Sequence, residues 1–142
     1  MLRDRPEYLV SDKPLDPFWI SGFSDGDGCF SVTITKTNQV IISYIIFLSN
    51  RDVSLLTCIQ KFFNGIGRIS ENKKNKTARY IVTKREDLIN IIIPHFDKYK
   101  LEGDKVLNYL AWKKVLSLVS SKAHFTPEGL EEIKGIKSKL NK

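Results

Sequence analysis

The chain has 142 residues, 42% of them hydrophobic and 27% charged, and a formal net charge of +7 at pH 7. This length suits a single domain with a sizeable apolar core, and the positive charge favours an anionic partner such as nucleic acid. The longest apolar run, Ile41–Leu48, is too short to span a bilayer, and the start of the chain lacks the apolar segment of a signal peptide. Cys29 and Cys58 have no pairing or metal-binding spacing, so we expect an intracellular protein in a reduced environment, without membrane association.

Apolar residues alternate along the chain between helical and period-two spacing, which predicts a mixture of helices and strands. Residues 1–14 contain two prolines and no periodicity, and we interpret them as an extended arm. Asp16 and Pro17 are typical of the cap and the first position of a helix. The elements predicted in order are a helix over 17–25, strands over 28–36 and 39–49, a helix over 53–63, strands over 66–72 and 77–83, and helices over 86–93, 103–120 and from 127 onward.

This order predicts an α+β fold in one domain (1–142), with an αββαββα core over 15–100 and further helices over 101–142. The expected sheet has four antiparallel strands, with helices on one face and the other face free. Pro94 is expected to end the third helix, because proline breaks the helical hydrogen-bond ladder. In the long helix, Leu107 and Leu110 are predicted on the buried side, and Trp112 is predicted in the core.

The free face of the predicted sheet carries many hydrogen-bonding side chains, which suits a saddle lying in a DNA major groove. From Arg68 to Arg85 there are seven basic residues and one acid, with lysines at the tip of a predicted hairpin. Such lysines suit phosphate contact, although a lysine loop is more often only a solubilising tip. The residues expected to contact DNA are Cys29, Ser31, Thr33, Thr35, Thr37, Asn38, Gln39, Ile41, Ser43, Ile45, Phe47, Arg68, Ser70, Asn72, Lys74, Thr77, Arg79, Ile81 and Thr83.

The stretch from Ile20 to Gly28, ISGFSDGDG, places two carboxylates among glycines where a predicted helix meets a strand. In isolation such a stretch is more often a turn or a fragment of a calcium loop. Cys29 and Phe30 follow it where a calcium loop would need further oxygen ligands, so the calcium-loop interpretation fails. We therefore expect the two acids to have a function other than that of a calcium loop.

The stretch resembles the LAGLIDADG motif of homing endonucleases, with Gly22, Asp25, Asp27 and Gly28 at the most characteristic motif positions. Later segments are similar to further blocks of the same family, and the tail is similar to the branch found in organellar introns. These segments are Asn50–Asp52, Phe62–Gly67, His95–Tyr99 and the tail that begins with Lys122–Thr126. The resemblance covers nearly the whole chain.

The resemblance implies a LAGLIDADG homing-endonuclease fold and a site-specific, intron-homing endonuclease that cuts both strands of a long, roughly palindromic DNA site. Carboxylate and carbonyl oxygens suit Mg²⁺, and Mn²⁺ or Ca²⁺ would occupy the same sites. Asp27 and the Gly26 carbonyl are the expected ligands, and Asp25 is expected to be a hydrogen-bonding partner at the helix terminus. Lys100 is the lysine expected to assist with transition-state charge. The expected partners are double-stranded DNA and a second copy of the chain, with no small-molecule cofactor.

One protomer offers too few ligands for a metal cluster, so a pair of protomers is expected to share the site. Packing of two first helices through Phe18, Ser21, Gly22 and Asp25 would bring two copies of Asp27 together. The chain could instead be half of a larger protein with two motifs. A non-cleaving nucleic-acid binder on the same scaffold, such as an intron maturase or a repressor-like protein, is the alternative function. The expected location is a mitochondrion or chloroplast, or a prokaryotic or archaeal cytoplasm.

Overall fold

The computed structural model describes residues 16–140, and the arm predicted over 1–14 lies outside this range. The predicted order of helices and strands is confirmed. The elements are α1 (Pro17–Asp27), β1 (Gly28–Ile34), β2 (Val40–Ser49), α2 (Val53–Phe62), β3 (Arg68–Asn72), β4 (Thr77–Val82), α3 (Arg85–Asp87), α4 (Ile93–Lys98), α5 (Lys105–Ser120) and α6 (Pro127–Leu140). A π-helical turn, Leu88–Ile92, joins α3 to α4, and 3₁₀ turns precede α2 and α6 at Asn50–Asp52 and Ala123–Phe125.

The four strands form one antiparallel sheet, as predicted, and their order in the sheet is β1-β2-β4-β3. Side chains alternate between its two faces, and the face that carries Phe30, Tyr44 and Tyr80 is buried. Alternation of this kind is expected where helices cover one face of a sheet and leave the other accessible. The fold therefore has two layers, with its core between the sheet and the helices.

Aromatic side chains dominate the core between β1 and α5. The ring of Phe30 lies 5.1–5.5 Å, centroid to centroid, from the rings of Tyr44, Phe96, Tyr109 and Trp112. Trp112 is fully buried, as predicted, and its indole N–H donates to the Ser43 carbonyl at 3.0 Å. Each such side chain contributes roughly 1.5–3 kcal/mol through burial, so this cluster holds α5 firmly on the sheet.

Helix α1 extends two residues beyond its predicted end and includes both carboxylates of the motif. Gly26 does not end the helix; Gly28 does, since its N–H donates to the Ser24 carbonyl while its backbone is already extended. A Cβ at Gly28 would lie 2.9 Å from the Ser24 carbonyl oxygen, so only glycine fits where the helix turns directly into β1. Asp25 and Asp27 consequently lie in the last turn of a helix.

The prediction that Pro94 ends the third helix is wrong. The helical segment continues through Pro94 to Lys98 as α4. The preceding π-helical turn, Leu88–Ile92, widens the backbone ladder directly before Pro94 and so accommodates a residue that cannot donate a backbone hydrogen bond.

The predicted buried side of α5 is wrong at Leu107 and Leu110, which are 70% and 53% exposed, while Val115 and Val119 of the same predicted side are buried. The buried residues of α5 include Tyr109 and Trp112 instead. Apolar residues occur all around this helix, so their spacing did not define one face, and the fit of two large rings against Phe30 set its rotation. No helix in residues 16–140 combines the length and apolar character that crossing a membrane requires.

Candidate nucleic-acid interface and metal site

The accessible face of the sheet carries most of the residues predicted to contact DNA. One row across the strands joins Phe47, Arg79 and Ser70, which are paired directly in the register. Phe47 is 52% exposed, and the row presents an apolar ring between hydrogen-bonding groups. The predicted residues that lie in strands on this face are Cys29, Ser31, Thr33, Ile41, Ser43, Ile45, Phe47, Arg68, Ser70, Asn72, Thr77, Arg79 and Ile81.

Two of these residues are covered by their neighbours. Ser43 is 5% exposed and Ile81 is 7% exposed. Both lie in the two central strands, each of which has a neighbouring strand on both sides. Their expected contact with DNA is therefore corrected, because neither offers an accessible surface to a ligand.

The turn between β1 and β2 holds four more of the predicted residues beyond the strand ends. The Thr35 hydroxyl accepts from the Gln39 N–H at 3.0 Å and lies 3.0 Å from the Thr37 hydroxyl, so it fixes the turn. Thr37, Asn38 and Gln39 are exposed at its tip, and Asn38 adopts the left-handed conformation, with φ of 64°. Lys74 lies in the exposed β3–β4 turn, and Thr83 follows β4.

Asp25 ties the end of α1 to the segment that leads into α5. Its two carboxylate oxygens accept from the backbone N–H groups of Glu102 and Gly103, at 3.0 and 3.2 Å. This carboxylate therefore acts as a hydrogen-bonding partner at the end of α1 and positions α5 within the same chain. The charge-assisted bonds make the joint between the two helices rigid.

Asp27 and Gly26 are exposed at the end of α1, and a lysine from α5 reaches this point. The Lys105 ammonium donates to the Gly28 carbonyl, one residue beyond Asp27. Lys100, predicted for this place, instead lies near Asp97. Burial raises the pKa of Asp97, but hydrogen bonds from Lys113 and Tyr109 and the charges of Lys113 and Lys100 outweigh it and leave the pKa below its ordinary value.

The sequence did contain a signal for Lys105. It is the first residue of α5, and a cation in the first turn opposes the helix dipole. A lysine at an electrostatically unfavourable position suggests a separate reason for its presence, and the contact with Gly28 supplies one. The expectation for Lys100 rests on its spacing from Phe96 along the sequence. That spacing contains no information about the direction in which α5 begins.

The oxygen atoms at the end of α1 suit half of a site for a hard divalent cation. Asp27 offers a carboxylate, and the last turn of a helix leaves carbonyl oxygens, such as that of Gly26, without intrahelical partners. Within residues 16–140, no group of three or more His, Cys, Asp or Glu side chains is arranged to hold a metal ion.

One side of α1 is open, and it does not include Ser21. Phe18 is 66% exposed, and a Cβ added at Gly22 would meet nothing within 4 Å. Ser21 is buried, where its hydroxyl donates to the Tyr99 carbonyl and lies 3.2 Å from His95 Nε2, so its assignment to a pairing surface is corrected. The open stripe runs along Phe18, Gly22 and Gly26, at intervals of four residues.

His95 lies beneath α1 among the rings of Phe62, Phe63, Phe96 and Tyr99. Burial lowers its pKa from 6.5 to about 4, so the ring is neutral near pH 7. A neutral imidazole can hydrogen-bond the Ser21 hydroxyl without an uncompensated charge in the core. His95 is thus a structural support of α1.

Residues 20–116 match the sequence profile described as LAGLIDADG endonuclease. The chain is 40% identical over 134 residues to a probable intron-encoded endonuclease 2 of Neurospora crassa, a match that covers 92% of this chain and 29% of that protein. The LAGLIDADG homing endonuclease I-SmaMI bound to cleaved DNA has a TM-score of 0.84 at 37% identity, with 90% of this chain and 44% of that chain covered. The homing endonuclease I-TnaI has a TM-score of 0.84 at 30% identity, with 92% and 90% covered.

The chain spans less than a third of the length of the first curated relatives, between 25% and 29% of each. It matches just under half of the I-SmaMI chain but nearly all of I-TnaI. Relatives from Podospora anserina and Schizosaccharomyces pombe are named as proteins in an ND4 intron and a cox1 intron. With most of its length matched by the family profile, and with the motif at the end of α1, the chain belongs to the LAGLIDADG endonuclease family.

Proposed function

We propose that the chain is the DNA-recognising and DNA-cleaving unit of an intron-homing endonuclease that depends on Mg²⁺. The observation that carries the proposal is the joint at Gly28, where α1 delivers Asp27 to the point at which β1 begins. A surface suited to a DNA groove and a carboxylate suited to a metal thus belong to one continuous stretch of backbone. The related I-SmaMI structures, which are bound to DNA, support this assignment.

The accessible face of the sheet would lie in the major groove of the duplex. Arg68 and Arg79 supply donors for guanine edges, and Ser70 and Asn72 can both donate and accept. The lysines of the β3–β4 turn are placed to contact phosphates, which would set the position of the sheet along the DNA. Side chains on this face would therefore determine which sequence is bound.

Asp27 and the Gly26 carbonyl would hold the metal ion at the end of α1. When bound, Mg²⁺ supplies an activated water and charge stabilisation on the phosphate oxygens. Ca²⁺ accompanies uncleaved DNA in an I-SmaMI structure, which supports a hard divalent cation in the family. Lys105 places a positive charge beside Asp27, where it would offset the negative charge that gathers when a phosphate approaches the carboxylate.

The open stripe of α1 would pack against the same stripe of a second copy of the fold. Glycines at intervals of four let two helix backbones approach closely, and a symmetric pair would bring two Asp27 side chains together. The second copy is a second chain in a homodimer, or a second domain if the chain is part of a longer protein. The intron-encoded relatives support action in an organelle, a mitochondrion in particular.

The test uses a plasmid library of random sites incubated with the protein and Mg²⁺. We expect discrete double-strand cuts that disappear in Asp27→Asn, because the amide cannot replace an anionic ligand. DNA binding measured in Ca²⁺ should remain within a few-fold of the wild type. Glu128→Gln, an exposed acid in the first turn of α6, is the matched control and should cut normally.

Two results would overturn this proposal. Cutting that persists in Asp27→Asn would remove Asp27 from the site. Tight binding by the wild type without any cut, over a range of Mg²⁺ and Mn²⁺ concentrations, would instead identify a non-cleaving nucleic-acid binder.

A further inference from the structure

A groove of about 990 Å³ opens at the end of the sheet that is farthest from α1. The β1–β2 turn and the start of β2 form one wall, through Asn38 and Ile41, and the segment before α6 forms the other, through His124 and Phe125. We call it the terminal groove. Ile41 belongs both to this groove and to the accessible face of the sheet, so the two surfaces are continuous.

The charge of the terminal groove suits an anion. Arg85 is the cation among the described residues that line it, and no carboxylate is among them. The guanidinium of Arg85 has five N–H donors. Among residues 16–140, one hydrogen bond uses one of these donors: Nη1 donates to the Val119 carbonyl at 3.3 Å. Lys122 lies with Arg85 and one acid, Glu86, around a hollow that adjoins the groove.

The segment Lys122–Thr126 has two residues that packing alone does not explain. Thr126 is structural, since its hydroxyl accepts from the Gly129 N–H at 3.0 Å and donates to the Ala123 carbonyl at 2.8 Å. Phe125, by contrast, is 75% exposed, and its ring lies 4.0 Å from the ring of His124. His124 Nδ1 is buried without a hydrogen-bond partner in the described structure.

The location of the groove fits a duplex that continues past the sheet. β1 begins at Gly28, at the end of α1, and pairs with β2 as far as Ile34 and Val40, six residues beyond Gly28. At about 3.3 Å per residue this is about 20 Å, or about six base pairs of DNA. A duplex that follows the sheet from Asp27 would reach the terminal groove at its outer end.

We propose that the terminal groove binds the sugar–phosphate backbone of the target duplex, beyond the base pairs that the sheet contacts, with Arg85 on a phosphate and Phe125 against a deoxyribose. This inference rests on the proposed function and extends the DNA footprint outward. Contact there would be independent of sequence, because phosphate and sugar are the same at every step. It would also give a role to the exposed ring of Phe125.

The test uses a duplex recovered by binding selection from a random library and then trimmed in steps from both outer ends. Trimming past the terminal groove should weaken wild-type binding about tenfold or more, as expected for one hydrogen bond to a charged group. Phe125→Ala and Arg85→Gln should each lose part of this affinity on the long duplex, and trimming should therefore cost each variant less than it costs the wild type. Arg85→Gln should also reduce the slope of log Kd against log salt by about 1.

Leu107→Ala and Lys61→Gln are the matched controls, an exposed leucine on α5 and an exposed lysine on α2. Both should respond to trimming as the wild type does. If Phe125→Ala, with an unchanged melting temperature, and Arg85→Gln lose as much affinity on trimming as the wild type, the terminal groove does not hold the backbone. A protein that binds no selected duplex at all would instead overturn the proposed function.

Discussion

Lys105 reaches from the first turn of α5 to the Gly28 carbonyl and so places its charge next to Asp27. Its position depends on Asp25, whose carboxylate holds the backbone of Glu102 and Gly103 just before α5 begins. Each of the two acids therefore has a separate task. Asp25 fixes the segment that delivers the lysine, while Asp27 remains at the end of the helix as the proposed metal ligand.

We predict that Lys105→Met reduces the cleavage rate about 100-fold, because a positioned charge near the reacting phosphate typically contributes this much. DNA binding in Ca²⁺ should change little. Lys100→Met, the matched control, should cut within a few-fold of the wild type. Single-turnover cleavage of a selected duplex measures both, and equal loss in the two variants would contradict the assignment of Lys105.

The buried His95 predicts a dependence of stability on pH. Because its pKa is lowered to about 4 in the folded protein, the unfolded chain binds a proton that the folded chain does not in the range between pH 6.5 and 4. Its contribution to stability is complete above pH 6.5 and is lost as the pH falls toward 4. Thermal melts across this range should show a steeper decline for the wild type than for His95→Gln, and parallel curves would refute the prediction.

At the scale of an element, α1 has two sides with different roles. One side is buried against the rest of the chain, and the other is open and is the side that we propose pairs with a second copy. Ser21 and Ser24 are buried on the inner side, and the Ser24 hydroxyl lies 2.6 Å from the Tyr44 hydroxyl. Gly22 lies on the opposite side, where an added side chain would meet nothing in this chain. A substitution there therefore tests pairing without disturbing the fold.

We predict that Gly22→Leu weakens association of two copies by roughly tenfold or more, because a large side chain prevents close helix packing. The melting temperature should stay level or rise, because leucine favours a helix more than glycine does. Sedimentation of the protein with and without a selected duplex measures the association. Gly135→Leu, at another open glycine, in α6, is the matched control and should leave pairing unchanged. A wild type that sediments as one copy on its duplex would contradict pairing between chains.

At the scale of the whole molecule, the positive charge is distributed so that part of it faces the proposed DNA surface. The β3–β4 turn carries Lys73, Lys74 and Lys76, all exposed, at one edge of the sheet. Exposed lysines on α6 lie in the helical layer instead, where two lysines form ion pairs across or along the helices, Lys114 with Glu132 and Lys134 with Glu131. Removal of the same number of positive charges from the β3–β4 turn and from α6 should therefore affect DNA binding unequally.

We predict that replacing Lys73, Lys74 and Lys76 by glutamine lowers the slope of log Kd against log salt by about 0.9 for each phosphate that the turn no longer neutralises. Replacing Lys134, Lys137 and Lys139 on α6 by glutamine changes the net charge equally and should leave the slope nearly unchanged. Titrations of a selected duplex at several salt concentrations give both slopes. Equal slopes for the two triple variants would show that the lysine tip is only a solubilising feature.

The sequence by itself determined the order of helices and strands, the two faces of the sheet and the position of two acids beside a helix–strand joint. These features follow from local spacing, because alternation and glycine placement act within a few residues. Only the tertiary structure decided that Ser21 faces inward, that Ser43 and Ile81 are covered, and that Lys105 rather than Lys100 reaches the motif. It also decided the rotation of α5 against Phe30. Each of these depends on which distant segments pack together, and that packing brings residues near position 100 into contact with the end of α1.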